Sequence, residues 1–339
     1  MLADGLRSAA VFTGGPMRVA VIGDCLFDVS ARALATAVPG GDAPAEIELL
    51  SGGQAANMAV RLARRGVRVR LIAPVGEDAA GALLRKQVAE DGVELATLPV
   101  ARTGLVLALL DPEGERTMYS SRTPLPRGVT VRHDLQRQLT GVDWVHVCGQ
   151  ALADSGGGQA VAAVVGGLPG GVRRSADTGS LPADEAGLKR YRDRLSASGA
   201  SLLFAGEAAA RTLLASVARL QAPSTPSTLA ALAGAVEATL KIASIVTGGA
   251  SGSAASVGGV SAAVAAYAPD APVVDATGAG DAYAAAVIDR LAREAWPPSA
   301  EVIRSAMLAG SELGSRVARV RGAQGLVLGE RAPAERQRR

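Results

Sequence analysis

Two aspartates flank a glycine-rich turn in the stretch VVDATGAGDAYAAAVIDRL, which covers residues 273–291. Gly278, Ala279 and Gly280 carry little side-chain bulk, so the backbone of this turn can approach a ligand closely, and the alanine-rich stretch that follows is typical of a helix. The start of a helix offers unpaired N–H groups and the positive end of the helix dipole, which attract an anion such as a phosphoryl group. Asp281 would lie in the first helical turn and accept a proton from a hydroxyl group. The stretch therefore predicts phosphoryl transfer; the alternative is a helix that merely begins with a charged residue.

A second glycine-rich stretch, SGGQAANMAVRLARRG, begins at residue 51. Gly52 and Gly53 allow a tight backbone turn, and Asn57 follows near the predicted start of a helix, where its amide group could bind a sugar hydroxyl. The alternative is that Asn57 only caps the helix. Asp28, in GDCLFD, follows the first apolar segment and points to the same edge of the predicted sheet. These residues form a candidate site for a hydroxylated ligand.

The elements that must position these residues alternate between strand and helix. RVAVIGD, at 18–24, is a continuous apolar run that predicts a strand buried on both faces, and AANMAVRLARRG then predicts a helix that leads into the strand VRVRLIAPVG. The same alternation returns in VDWVHVCG, ASLLFAG and IASIVTGG with the segments that follow them. We therefore predict an α/β fold, with a doubly wound, mainly parallel sheet flanked by helices.

Two segments, at about 30–51 and 102–122, break the alternation because they contain strand patterns and turn signals with no helix between. Both follow predicted core strands at the edge where open α/β sheets bind ligands, so they predict a small β-strand lid. Arg122, in MYSSRTP beside the lid, is a candidate substrate contact or, alternatively, a solvated arginine. We divide the chain into an extension at 1–16, one α/β domain at 17–330 and a polar tail at 331–339.

The composition argues against several other classes of protein. The chain has 339 residues and a formal net charge of +3, and it shows no basic face interleaved with aromatic residues, so we expect no nucleic-acid binding. It shows no convincing signal peptide or membrane span, so we expect a cytoplasmic protein that does not bind membranes. Cys25 and Cys148 lack CxxC spacing, and His133 and His146 lie far from any clustered partner in the sequence, so we expect neither a structural zinc site nor a disulfide scaffold.

Taken together, these motifs resemble the ribokinase-like (PfkB) family of sugar and nucleoside kinases. GGQAANMAVRLARRG resembles the family's first signature, DATGAGDAYAAAVIDRL its second, and GDCLFD its N-terminal substrate motif. The resemblance runs from about residue 17 to 328. It implies ATP-dependent phosphorylation of a hydroxyl group of a small sugar, with Mg²⁺ and in several members K⁺, by a homodimer. Ribose-like sugars, ketohexoses and keto-deoxy acids all remain compatible; a nucleoside is the alternative, against which the scarcity of aromatic residues near the lid argues mildly.

The resemblance also assigns residues. The catalytic base would be Asp281, with an anion hole formed by Gly278, Ala279 and Gly280. Substrate hydroxyl groups would be held by Asp28, Gly52, Gly53 and Asn57. The nucleotide-binding loop would be VTGGASGSA, with Thr247, Gly249 and Gly252. A monovalent cation would be held at Asp275 and Thr277.

Some positions depart from the family pattern. The family's Asn and Glu in an NxxE motif, which organise Mg²⁺ and water, fall on Gly206 and Ala209, with Glu207 displaced in register. The strand before it keeps Asp177 but lacks the proline and asparagine that many members carry. These departures leave open a weakly active or non-catalytic protein that binds a sugar or a nucleotide on the same fold. A Rossmann dehydrogenase is set aside because GDCLFD stands where GxGxxG would be required.

Overall fold

The fold is seen in a computed structural model, which describes residues 17–36, 38, 40–111, 116–214, 224–268, 272–327 and 330. The predicted extension at 1–16 and tail at 331–339 lie outside these residues. The strands are β1 (Arg18–Ile22), β2 (Leu26–Ala33), β3 (Ala45–Gly52), β4 (Arg68–Gly76), β5 (Glu94–Val100), β6 (Gly104–Leu110), β7 (Arg116–Ser121), β8 (Trp144–Val147), β9 (Arg173–Asp177), β10 (Leu202–Gly206), β11 (Ala243–Thr247), β12 (Ser253–Val257) and β13 (Val260–Val264). The helices are α1 (Gln54–Arg64), α2 (Ala79–Glu90), α3 (Val129–Gln138), α4 (Gly149–Ala153), α5 (Gly158–Gly166), α6 (Glu185–Ala197), α7 (Glu207–Leu214), α8 (Pro226–Leu240), α9 (Ala279–Leu291) and α10 (Ala300–Val317).

A nine-stranded sheet forms the centre of the described part of the chain, in the order β13-β12-β11-β10-β9-β8-β1-β4-β5. The strands from β11 to β5 run parallel, and the edge pair β12 and β13 is antiparallel. From β1 the chain first builds outward through β4 and β5 and later builds the other way from β8. The predicted doubly wound sheet is confirmed, and the crevice expected where the winding reverses lies between β1 and β8.

Both faces of this sheet are covered, which explains why its strands are continuous apolar runs. Val19 and Val21 of β1 pack in a core with α1, α2, α9 and α10, whereas Ala20 and Ile22 pack in a second core that contains α3 to α8. Small residues let α1 come close to the sheet, and its Ala55 is fully buried. This close packing fixes the start of α1, where the first glycine-rich stretch lies.

A second sheet of four strands, in the order β3-β2-β6-β7, is built from the two segments that break the strand–helix alternation. Strand β2 begins at Leu26, a few residues earlier than the predicted start near 30. It pairs antiparallel with β3 and parallel with β6, so the two segments join in one sheet. One face of this sheet, with Asp28, Val106 and Met118, covers a cleft at the carboxyl ends of the central strands.

Among the described helices, none combines the length and the apolar character that crossing a membrane would require.

Candidate active site

A cleft of about 410 Å³ lies at the carboxyl ends of the central strands, beneath the four-stranded sheet. It brings together residues from both glycine-rich stretches, the first strand and the lid. The sequence-predicted residues that line it are Asp28, Gly53, Asn57, Arg122, Thr247, Thr277, Gly278, Gly280 and Asp281. The predicted residues outside its lining are Gly52, Gly249, Gly252, Asp275 and Ala279.

Asp281 lies in the first turn of α9, and the chain reaches it through the left-handed residue Gly278. The Asn57 Nδ2 group donates to Asp281 Oδ2 at 2.9 Å. Burial in the cleft wall raises the pKa of Asp281 to about 7, and the negative charges of Asp177 and Asp24 act in the same direction. Hydrogen bonds from the side chains of Asn57 and Gln54 oppose this shift. The result is a carboxylate that can exchange a proton near neutral pH, as a general base requires.

The turn before Asp281 needs glycine at position 278. Gly278 has a φ of 78°, and a Cβ atom there would lie 2.5 Å from Ala323 Cβ. The Ala279 N–H donates to the Ala276 carbonyl within the turn, at 3.2 Å, so this amide is already engaged. A Cβ atom at Gly280 would meet open space. The turn therefore exposes backbone at Gly278 and Gly280 to the cleft, next to the positive end of α9.

Glycines also make room for the carboxylates on the other side of the cleft. The Asp28 carboxylate occupies the space that a side chain at Gly52 would fill. Gly53 has a φ of 96°, and a Cβ atom there would lie 2.6 Å from the Asp24 carbonyl oxygen. Gly52 does not line the cleft, but its lack of a side chain leaves room for the Asp28 carboxylate. Gly53 lets the start of α1 pack against the loop that carries Asp24.

Asn57 has two partners of its own. Its Nδ2 group donates to Asp281, and its Oδ1 atom accepts from Gln324 Nε2 at 3.1 Å. It lies inside α1, whose N-cap is Gly53, so the alternative that Asn57 caps this helix is wrong. Its contacts indicate that it orients the Asp281 carboxylate.

Arg122 extends from the end of the lid strands and forms an ion pair with Asp24, which follows β1. Sequence reasoning named Arg122 but missed Asp24, although Asp24 stands directly after the first apolar run. It also did not name Gln54 and Asp177 as site residues, and both line the cleft. Their positions beside the ends of predicted strands could have identified them as site residues.

His146 has no clustered partner in the sequence, but the fold gives it two. Its Nε2 and Nδ1 atoms lie 2.9 Å from Asp177 Oδ2 and from Ser175 Oγ, and His146 is fully buried. Cys148 also comes near, and the ligand atoms of His146, Cys148 and Asp177 lie within 4.8 Å of one another. The parallel pairing of β8 with β9 brings these distant residues together. The hydrogen bond from His146 holds the Asp177 carboxylate at the cleft wall.

The end of the cleft that was predicted to bind the nucleotide contains fewer of the expected residues. Thr247 lines it, whereas Gly249 and Gly252 lie in the following turn with φ values of 58° and 89°. Glu207, next to the bare position Gly206, accepts from Arg211 Nη2 at 2.6 Å. Hydrogen bonds from Ser224 and Arg211 lower the pKa of Glu207. The residues at this strand end therefore do not reproduce the metal-organising Asn and Glu of the family pattern.

Asp275 lies behind the turn that precedes α9. Its Oδ1 atom accepts from the Thr277 N–H at 2.9 Å and its Oδ2 atom accepts from the Gly322 N–H at 3.0 Å. These contacts tie the turn to the loop after α10. A carboxylate oxygen is a hard donor of the kind that binds such cations, so Asp275 is the residue of this turn that suits the predicted monovalent ion.

The fold is that of the ribokinase-like proteins, as comparison with solved structures shows. The ribokinase from Giardia lamblia superimposes with a TM-score of 0.73 at 17% identity, covering 95% of this chain and 98% of that chain. A ribokinase from Cryptococcus neoformans in complex with ADP gives 0.70 at 20% identity, covering 95% and 100%. The fructokinase from Vibrio cholerae O395, in its fructose-, ADP- and calcium-bound form, gives 0.69 at 20% identity, covering 91% and 94%.

The chain belongs to the pfkB family of carbohydrate kinases, whose family model matches residues 17–328. The fructokinase of Salmonella typhimurium is 34% identical over 105 residues, which are 30% of this chain and 34% of that protein. The uncharacterized sugar kinase YegV of Escherichia coli is 30% identical over 146 residues, or 40% and 45% of the two chains. These alignments span between a third and a half of the curated relatives. The predicted membership of the PfkB family is confirmed.

Proposed function

We propose that the protein transfers the γ-phosphoryl group of ATP to a hydroxyl group of a small, uncharged sugar. The observation that carries this proposal is the carboxylate of Asp281, which is half-buried in the cleft wall and held by Asn57 at 2.9 Å at the start of α9, directly after a turn that exposes glycine backbone. A base and an anion site lie side by side there. Together with the family, this arrangement supports phosphoryl transfer better than binding alone.

In the proposed reaction, Asp281 accepts the proton of the reacting sugar hydroxyl. The hydroxyl oxygen forms a bond to the γ-phosphorus while the bond from that phosphorus to the bridging oxygen of ADP breaks. The backbone at Gly278 and Gly280 stabilises the charge on the transferring group, since phosphoryl transfer depends chiefly on positioning and electrostatics. The products are a sugar phosphate and ADP, and Asp281 then releases its proton to solvent.

The implied cofactors are ATP with Mg²⁺ and a monovalent cation such as K⁺. Mg²⁺ bound to the nucleotide would supply positive charge for the phosphates, and the chain's own contribution is the amide groups at the start of α9. Asp275 and Thr277 would hold K⁺ behind the turn. The nucleotide would approach along Thr247, with Gly249 and Gly252 beside it. Because the reaction draws on ATP, we also propose that it takes place in the cytoplasm.

The charge of the cleft favours an uncharged acceptor. Among the described residues that line it, the acidic ones are Asp24, Asp28, Asp177 and Asp281, and Arg122 is the cation. Arg122 is already paired with Asp24. A carboxylate on the substrate would therefore face repulsion that a neutral hydroxyl does not. We rank fructose- and ribose-like sugars above keto-deoxy acids, and the named fructokinase and ribokinase relatives agree with that order.

The test is ADP release from MgATP with a panel of pentoses, ketohexoses, keto-deoxy acids and nucleosides. We expect turnover with a neutral sugar, and turnover that is at least tenfold weaker with its acidic counterpart. A clear preference for a keto-deoxy acid or a nucleoside would overturn the substrate assignment. If no compound turns over while a sugar or ATP raises the melting temperature, the alternative of a non-catalytic binding protein holds. The observation that favours this alternative is the engagement of Glu207 by Arg211 beside the bare Gly206.

The acid limb of the pH profile tests the role of Asp281. Its pKa in the folded protein is about 7, so the carboxylate is protonated below this pH and cannot act as a base. We expect kcat/KM for the sugar to rise with pH and to level off above about 7, falling tenfold per pH unit on the acid side. Initial rates between pH 5 and 9 at constant ionic strength measure this. A rate that is flat down to pH 5 would contradict the assignment.

The outer face of the lid predicts a homodimer. The register of the four strands places five exposed apolar side chains on the face away from the cleft: Ile47, Leu49, Leu105, Leu109 and Tyr119. Exposed apolar patches of this kind mark association surfaces. We propose a second copy of the chain as the occupant, since two such faces are self-complementary under two-fold symmetry.

We expect Leu49→Glu to shift the protein from dimer to monomer in sedimentation velocity, because a carboxylate would be buried in that interface. Val129→Glu is the matched control, because Val129 lies on α3, is 68% exposed and is not part of the lid. This variant should leave the dimer intact. A wild-type protein that is monomeric at micromolar concentration, or a Leu49→Glu variant that stays dimeric, would exclude this interface.

A further inference from the structure

A line of hydrogen bonds connects the lid to the carboxylate of Asp281. Ser51 Oγ lies 2.6 Å from Gln324 Oε1, Gln324 Nε2 lies 3.1 Å from Asn57 Oδ1, and Asn57 Nδ2 lies 2.9 Å from Asp281 Oδ2. Ser51 belongs to β3 of the lid, and Gln324 lies in the loop that follows α10. The four residues come from three separate parts of the chain, because Ser51 and Asn57 both belong to the first glycine-rich stretch.

The directions of the three bonds are consistent with one another. The hydroxyl of Ser51 donates to the amide oxygen of Gln324, which leaves the Gln324 NH₂ group to face Asn57. The Asn57 amide oxygen accepts from that group, so the Asn57 NH₂ group must face Asp281. An amide side chain can otherwise rotate by half a turn and exchange its donor for its acceptor. The donor from Gln324 thus favours the orientation of the Asn57 amide in which its NH₂ group faces Asp281.

The backbone of the Gln324 loop is anchored independently of the Gln324 side chain. Arg61, which is fully buried, donates to the Ala323 carbonyl at 2.6 Å, and Arg64 donates to the Gln324 carbonyl at 2.6 Å. Arg61 also pairs with Glu330 at 2.6 Å. A change confined to the Gln324 side chain thus leaves these backbone contacts in place.

We propose that Gln324 is a positioning residue for the catalytic base, acting through Asn57, and that Ser51 links this arrangement to the lid. Gln324 does not line the cleft, so it acts on the reaction without touching the substrate. The inference rests on the proposed function of Asp281. It adds to the proposed site a residue that lies outside both glycine-rich stretches. It also explains why Asn57 presents its amide NH₂ group to the base.

The pKa of Asp281 would therefore depend on Gln324, which lies 43 positions beyond it in the chain. The hydrogen bond from Asn57 lowers the pKa of Asp281 against the effect of burial, and Asp177 and Asp24 are the charged groups that raise it. The charge of Asp281 also helps to raise the pKa of the buried Cys148 thiol. Loss of the Asn57 donor would shift the acid limb to higher pH.

Two variants test the proposal. Gln324→Met has nearly the same shape and cannot hydrogen-bond to Asn57; Gln324→Glu presents an acceptor in place of the donor. For both variants we expect the pKa of the acid limb to rise by about one pH unit and kcat/KM at pH 7 to fall about fivefold, with activity recovering at pH 9. Ser51→Ala should shift the limb in the same direction by less. KM for MgATP should stay unchanged.

Carbon-13 NMR of the aspartate carboxyl groups, with the Asp281 signal assigned by Asp281→Asn, reads the same titration without turnover. An acid limb and an Asp281 titration that are both unchanged in Gln324→Met would overturn the proposal, as would a loss of rate that is equal at all pH values and accompanied by a lower melting temperature. If the wild-type protein does not turn over at all, the proposed function fails, whereas the NMR titration still decides the role of Gln324.

Discussion

Replacing Asp281 by asparagine is expected to lower kcat by about 10²–10⁴-fold, the range that a positioned general base contributes. The amide has the shape of the carboxylate and can still accept the Asn57 Nδ2 hydrogen bond, but it cannot take up the hydroxyl proton. Sugar and nucleotide binding should change by less than about tenfold, since a neutral amide still forms hydrogen bonds. Single-turnover rates and isothermal titration with the unreacted sugar measure the two effects separately.

The same variant is expected to be more stable than the wild type at pH 8. The folded-state pKa of Asp281 is about 7 against an ordinary value of 3.8, so the folded protein holds this proton more tightly than the unfolded chain. The stabilisation from this group is complete below pH 3.8, declines as the pH rises and is lost above about pH 7. The gain in melting temperature of Asp281→Asn should therefore grow between pH 4 and 7 and then stay constant.

Asp193→Asn is the matched control, because Asp193 lies on α6 with 62% of its side chain exposed and pairs with Lys189. It should change neither kcat nor the melting temperature. An Asp281→Asn variant that keeps more than a tenth of the wild-type kcat would show that another group accepts the proton.

Gly278→Ala is expected to lose both activity and stability. The methyl group would stand 2.5 Å from Ala323 Cβ and 2.8 Å from its Cα atom, in a backbone conformation with a φ of 78° that alanine rarely adopts. We expect the free energy of unfolding to fall by about 1–3 kcal/mol, the usual cost of such backbone strain. Displacing the turn would also misplace the anion site, so kcat should fall by about 10²–10³-fold.

Gly234→Ala provides the control for a glycine replacement. Gly234 lies inside α8, and a Cβ atom there would meet open space. This variant should keep its activity and gain about 0.5–1 kcal/mol in the free energy of unfolding, because alanine is the better helix former. Denaturant titration together with ADP release measures both quantities. A Gly278→Ala protein with wild-type activity would show that the turn is not the anion site.

The fold class and the segments of the proposed catalytic site could be predicted from the sequence alone. The buried strands could be recognised because a parallel sheet covered on both faces requires continuous apolar runs, as in Val19 to Ile22. The turn at Gly278 and the carboxylate of Asp281 could be recognised because a tight turn and the helix after it depend on neighbouring residues. The resemblance to the PfkB family used the same local information.

Tertiary structure alone decided which side chains meet. Asn57 and Asp281 are 224 positions apart, and Gln324 and Asn57 are 267 apart, so no local pattern could predict either contact. Their contact depends on how α1 and α9 pack and on where the loop after α10 returns. The pKa of Asp281 has the same origin, because burial by distant segments causes its shift.

The pairing of His146 with Asp177 and of Arg122 with Asp24 shows the same limit. The first follows from the order of strands β8 and β9 in the sheet, and the second from the position of the lid over β1. Strand order and lid position are set by packing of the whole domain, whereas turns, caps and apolar runs are set by short stretches of chain. The individual residues of the proposed site could therefore be recognised in the sequence, whereas the contacts between them depend on the fold.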